Sequence, residues 1–105
     1  LDIDPKLAWA LANPARFPVD VNRAPQEQLL RVPGLGARSV QRLLAARKTR
    51  GVRRADLDRL SIAVAKVLPF VVLPDHRPRE RDAERLAAAL RQRPRATQVD
   101  LFAGS

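Results

Sequence analysis

The stretch Leu29–Leu44, LLRVPGLGARSVQRLL, constrains this chain more than any other: two apolar helical segments meet at Pro33-Gly34-Leu35-Gly36. Proline lacks a backbone donor and pushes the residue before it out of the helical region, so the first segment has to end there. The second segment opens with its first backbone N–H groups unpaired, at the positive end of the helix dipole. Two glycines directly ahead of them leave no Cβ in the way of an approaching group. Such a helix start is a ready anion site, and phosphate is the anion it suits best.

Charge concentrates around the same place. The 105 residues carry a net charge of +9, of which residues 23–54 contribute +8, with nine basic side chains against one acidic. Arginine outnumbers lysine 17 to 3, and guanidinium binds phosphate in a two-pronged fork that ammonium cannot match. A basic run by itself is usually a solvated face. Its coincidence with an anion-ready hairpin is what points to a polyanionic partner.

Hydrophobic spacing predicts short helices throughout. Asp4-Pro5 opens the first, with Asp4 as cap and Pro5 at the first helical position, and Asn13-Pro14 stops it after Ala12. Leu7 and Leu11 share its buried face; Trp9 beside them is read as core in preference to a base-stacking platform. Residues 17–22 form an extended connector, and Asn22 or Ala24-Pro25 starts a helix over Gln26–Val32. After the hairpin a helix over Ala37–Lys48 buries Val40, Leu43 and Leu44 and sends Arg38, Arg42 and Arg47 to its flanks.

A second pair follows: Arg54–Leu60, then Ser61-Ile62-Ala63 where a second Gly-x-Gly would stand, then Val64–Leu68. The arrangement reads as an internal duplication whose second copy has lost both glycines, so it is expected to pack without gripping phosphate. Asp56 and Asp58 sit early in their helix, where negative charge complements the dipole. Pro69–Pro74 predicts an extended apolar strip across the core or a docking segment, and His76 is expected in an exposed loop. Glu80–Gln92 forms a last amphipathic helix with Ala83, Leu86, Ala87 and Leu90 on one stripe, ended by Pro94.

The hairpin and its two phased helices, about Val19–Lys48, resemble the helix-hairpin-helix family of sequence-independent DNA-binding units. Val40 departs from the alanine usual at that helix crossing. The resemblance implies an all-α fold, a tandem helix-hairpin-helix with a degenerate second hairpin, an N-terminal helix, a C-terminal amphipathic helix and a flexible tail. The domain is expected over residues 1–93, with hairpins at 26–48 and 54–68, the last helix at 80–92 and the tail at 94–105. It further implies that the backbone amides of Gly34, Leu35 and Gly36 meet phosphate oxygens of double-stranded DNA, and that Arg38 is the basic contact. With the neighbouring charges, the expected DNA-binding set is Arg23, Arg31, Gly34, Leu35, Gly36, Ala37, Arg38 and Arg42. In some members hairpin carbonyls hold a monovalent cation; here these would belong to Leu30, Val32 and Leu35.

A wider resemblance joins Asp4–Leu11, Pro18–Leu44 and Leu60–Phe70 to the C-terminal domain of radical SAM proteins associated with DNA modification or repair. It implies that an iron–sulfur cluster and S-adenosylmethionine belong to an absent N-terminal part. This chain has no cysteine to ligate a cluster, and no cofactor or catalytic residue is expected in it. Asp56 stands 20 residues past Gly36, about where glycosylases with this hairpin carry a catalytic Asp, but Arg38 replaces their partner lysine and no second domain is present to form a pocket.

The tail Gln98-Val99-Asp100-Leu101-Phe102 resembles the pentapeptide that binds the bacterial sliding clamp, with Gln98, Leu101 and Phe102 as anchors and Val99 in place of the usual Leu. Absence of methionine, at position 1 included, suggests a piece of a longer protein. No apolar run approaches the roughly 20 residues of a membrane span. The expectation is a monomeric, cytoplasmic DNA-binding accessory domain that is not itself an enzyme. The lead-in Val19–Ala24, similar to DNA-uptake proteins of the family, keeps a competence-type receptor open, as does a protein-interaction module with a degenerate DNA face.

Overall fold

The computed structural model of the chain describes residues 4–91, and over them it is all-α apart from one two-residue strand pairing. Helix α1 spans Pro5–Ala12; the Asp4 carboxylate accepts the Leu7 N–H at 2.9 Å, which satisfies one orphan donor, and Pro5 sits where no donor is needed. After a 3₁₀ turn at Pro14–Arg16 the chain extends into β1, Val19–Asp20. Asn22 does not start the next helix. Its side-chain amide accepts the Val52 N–H at 2.7 Å and donates to the Val52 carbonyl at 3.1 Å, tying this connector to residues 30 positions away.

Helix α2, Gln26–Leu29, is shorter than the Gln26–Val32 expected. Arg31 and Val32 donate to carbonyls three residues back, so the chain tightens into turns and bends toward Pro33 instead of continuing an α-helix. Leu29 and Val32 are fully buried all the same, while Leu30 is half-buried. The long helix α3, Ala37–Thr49, then runs about 20 Å. Val40 and Leu43 are fully buried on its inner side.

The second copy comprises α4, Arg54–Arg59, and α5, Val64–Val67, which passes into a 3₁₀ turn at Leu68–Phe70. Helix α4 is capped twice: the Asp75 carboxylate accepts the Arg54 N–H at 3.1 Å, and Asp56 accepts the Arg53 N–H at 2.9 Å. Pro69 has no N–H to donate, so α5 cannot extend. Helix α6, Asp82–Arg91, begins two residues later than expected because Arg81 has φ 72°, a left-handed conformation that no α-helix accommodates.

The apolar strip after Pro69 forms β2, Val71–Val72, parallel to β1 with Val19 opposite Val71 and Asp20 opposite Val72. It crosses the core: Phe70, Val71 and Leu73 are buried. This pairing welds the segment before the first hairpin to the segment after the second, so both copies share one core with Leu7, Leu57 and Ala87. Fully burying each of the leucines contributes about 1.5–3 kcal/mol.

Two expectations are corrected here. Trp9 is half-buried, outside the buried core: it meets Phe17 edge-on at 6.1 Å, Phe17 meets Phe70 at 5.4 Å, and the three rings run from the surface inward. His76 is half-buried and held, its backbone paired with Leu73 and its Nε2 2.8 Å from the Leu68 carbonyl. The clamp-like anchors Gln98, Leu101 and Phe102, with the expected tail at 94–105, lie outside the described residues.

Candidate nucleic-acid interface

The two hairpin glycines are needed for different reasons. Gly34 has φ +91°, and a Cβ on it would stand 2.9 Å from Val67 Cγ2 and 3.1 Å from Lys66 Cβ. Its bare Cα therefore lets α5 pack against the hairpin; the space read from sequence as phosphate access is filled by the protein itself. Gly36 is the reverse. Its φ and ψ of −94° and −177° are extended and open to any residue, and nothing lies within 4 Å of where its Cβ would be.

Gly36 is also the N-cap of α3, and no side chain caps that end. The N–H groups of Ala37, Arg38 and Ser39 thus have no partner within the helix. Gly36, Ala37 and Arg38 are exposed, whereas the Leu35 side chain is 1 % exposed, so Leu35 offers the site only its backbone. The result is a helix start open to solvent in front of a glycine, with the dipole of a 13-residue helix behind it.

A residue that sequence reasoning did not assign to the site is tied to the hairpin. Lys6, in the first turn of α1, reaches across and donates from Nζ to the Leu35 carbonyl. Partial burial lowers the pKa of its ammonium from the ordinary lysine value, and the nearby Asp4 carboxylate opposes that shift. Asp4 is itself engaged: one oxygen caps α1 and the other lies 3.8 Å from Lys66 Nζ. Lys6 is separated from Leu35 by 29 positions, so no local pattern could have revealed the contact.

The expected arginines divide. Arg38 and Arg42 are exposed one turn apart on α3, and Arg42 Nη1 donates to the Leu60 carbonyl at 3.2 Å, which stretches this face from the first hairpin to the second. Arg31 stacks on Trp9, its guanidinium carbon 4.8 Å from the ring centroid. Arg23 is exposed near the opposite end of α3: the neighbouring carbonyls of Val21 and Ala24 accept from Arg47 Nη1 at 3.1 and 2.7 Å, about 13 Å along the helix axis from Arg38. Arg47, read from sequence as a flank residue free to meet an anion, is spent on those two carbonyls. The guanidinium ties α3 to the connector before α2.

The second hairpin keeps part of the geometry of the first. Ser61 stands in the place of Gly34 and adopts φ 61°, and Ile62, in the place of Leu35, is 5 % exposed. Ala63 differs from Gly36, with ψ 87°, and the helix it precedes is a single turn. Asp56 has a structural role: besides the Arg53 N–H it meets Arg50 at 3.4 Å and Arg59 at 3.3 Å, and the hydrogen bond from the Arg53 backbone, with smaller help from Arg50 and Arg59, holds its pKa below the ordinary carboxylate value. Among the described residues no cluster of acidic or histidine side chains is arranged to hold a metal ion, and no helix is long and apolar enough to cross a membrane.

Fold and site together define a small all-α domain built on helical hairpins, with the open start of its longest described helix in a strongly basic segment. A family model described as SAM-like helix-hairpin-helix tandem matches residues 2–50, which covers α1, the first hairpin and all of α3 and supports a helix-hairpin-helix domain there. The second hairpin lies beyond the matched residues. Helix-hairpin-helix domains are typically non-catalytic modules and commonly bind nucleic acid. No curated protein and no solved structure matches the chain.

Proposed function

We propose that this domain binds double-stranded DNA without sequence preference, by receiving a backbone phosphate at the start of α3. The observation that carries the reading is the uncapped, unobstructed N-terminus at Gly36, lying in the segment that holds +8 of the net +9 charge. Backbone amides of Gly36, Ala37 and Arg38 are the donors at its centre, with the Arg38 and Arg42 side chains alongside. Contacts of this kind position a duplex and carry no base information.

The resemblance to radical SAM C-terminal domains supports a role as the accessory, DNA-holding part of a larger repair or modification protein. In that reading the chemistry belongs to residues outside this chain, and the tail around Gln98–Phe102 recruits the sliding clamp. A peptide spanning Gln98–Phe102 should then bind a bacterial clamp in a calorimetric titration.

The direct test is fluorescence anisotropy with duplexes of unrelated sequence across a range of salt concentrations. The expected result is similar affinity for each duplex and a log–log salt slope corresponding to roughly 3–6 phosphates. Binding that is absent, or that does not respond to salt, overturns the reading.

A further inference from the structure

Trp9 and Arg31 form a stacked pair, guanidinium over indole at 4.8 Å, and both line a surface cleft of about 350 Å³ together with Arg16, Phe17 and Glu27. The same two residues line a second cleft of about 310 Å³, so the pair is a wall shared by two openings. Among the described residues the arginine side chains that donate hydrogen bonds are those of Arg42, Arg47, Arg50 and Arg59, and neither Arg31 nor Arg16 enters an ion pair. Both are exposed, and Glu27 pairs with neither although it lines the same cleft. The Arg31 head group is therefore held by the stack and can leave it.

Two guanidinium groups without a counter-charge, beside an aromatic face, match a ligand that carries negative charge at one end and a flat π-system at the other. A nucleotide has both. Inside a duplex each base is covered by its neighbours, so only an unpaired nucleotide presents its face. The cleft falls near the lower end of single-ligand sites, roughly 300–1,000 Å³. Arg31 also lies in the segment that carries +8 of the net charge, which favours a nucleotide within a polyanion over a free one.

We propose that this cleft binds one unpaired nucleotide of DNA, at a strand end or gap: its base stacks on the Trp9 indole in place of Arg31, and the freed guanidinium joins Arg16 on the phosphate. Stacking of a base on an indole outweighs the attraction of an exposed guanidinium for it, and the guanidinium gains a charge-assisted contact in exchange. Phe17, edge-on to Trp9 and itself packed on Phe70, fixes the indole, so little order is lost when a base arrives. The inference goes beyond the duplex reading above and does not need the start of α3.

The test is anisotropy with the full chain and three labelled duplexes of the same paired length: one blunt, one with a short unpaired thymidine extension, one with the same extension made abasic. The thymidine extension should bind about 10-fold more tightly than the blunt duplex, and the abasic one should keep only a minor part of that gain. Trp9 is the sole tryptophan, so its fluorescence reports directly and should be quenched by the thymidine extension more than by the other two. Trp9→Leu should abolish the preference for the extension and leave blunt-duplex binding within about twofold; Arg16→Met should reduce the preference while quenching persists at saturation. Circular dichroism melts confirm folding, and if Trp9→Leu does not fold, the abasic comparison on the unsubstituted chain decides alone. Equal affinity for thymidine and abasic extensions, or equal Trp9 fluorescence with all three, overturns the nucleotide site and leaves duplex binding standing. Binding that requires the extension, with none to the blunt duplex, overturns the duplex reading and leaves this one.

Discussion

Gly34 lies so close to Val67 that a Cβ on the glycine would stand 2.9 Å from Val67 Cγ2. The contact joins the first hairpin to α5 of the second copy, and it separates the two glycines of the motif by function. Gly34 serves the packing between the copies, and Gly36 leaves the helix start open. A site inferred from a Gly-x-Gly pattern alone assigns both to the ligand.

That division predicts opposite phenotypes. Gly34→Ala should cost about 1–3 kcal/mol in urea unfolding, since it combines a positive φ with overpacking against Val67 and Lys66. Gly36→Ala should change stability by less than about 0.5 kcal/mol, having extended backbone and open space, yet weaken duplex binding measurably by anisotropy. Loss of stability at Gly36, or none at Gly34, would contradict the assignment.

Ser61 carries the left-handed conformation of the second hairpin with a Cβ attached. Ser61→Gly is expected to raise stability by about 0.5–1 kcal/mol, relief of strain being partly offset by greater freedom of the unfolded chain. Ser61→Val should destabilise, because a β-branched residue tolerates this region worst. Thermal melts of the two variants should therefore move in opposite directions.

Arg38 and Arg47 lie on the same helix and should respond differently to alanine. Arg47→Ala removes a guanidinium from the Val21 and Ala24 carbonyls and should lower stability by about 1.5–3 kcal/mol. Arg38→Ala should leave stability within about 0.5 kcal/mol and reduce the magnitude of the salt slope of duplex binding by about 1. Chemical denaturation and salt titrations on both variants check this pair.

Asp56 sets one pH response. Its pKa is depressed in the folded state, chiefly by the Arg53 backbone hydrogen bond, so its stabilising contribution is full above the ordinary carboxylate pKa and disappears as pH falls through the lowered one. Asp56→Asn should lower the melting temperature at neutral pH, and the gap from the unsubstituted protein should narrow steadily below about pH 4. A gap that persists undiminished into strong acid would show that the carboxylate charge is not the cause.

Local chemistry made much of this fold legible in the sequence. Asp4-Pro5 and Asn13-Pro14 bounded α1 to the residue, and the Pro-Gly punctuation together with the 3.6-residue spacing of Val40, Leu43 and Leu44 located α3, because caps and helical faces depend on neighbours within a few positions. The charge map found the basic segment for the same reason: it is a property of the chain itself. Boundaries moved where a single residue took a left-handed conformation, as at Arg81, or where turns tightened, as at α2.

The tertiary structure alone decided which of the marked residues are free to act. Arg47 is consumed by carbonyls 23 and 26 positions away, Asn22 by Val52, and the vacancy at Gly34 by α5, while Lys6 arrives at the hairpin from 29 positions upstream. The sequence determined that an anion-ready helix start exists and where it lies. Which groups surround it depends on long-range contacts made when the two copies close around one core, and no periodicity or spacing along the chain encodes those partners.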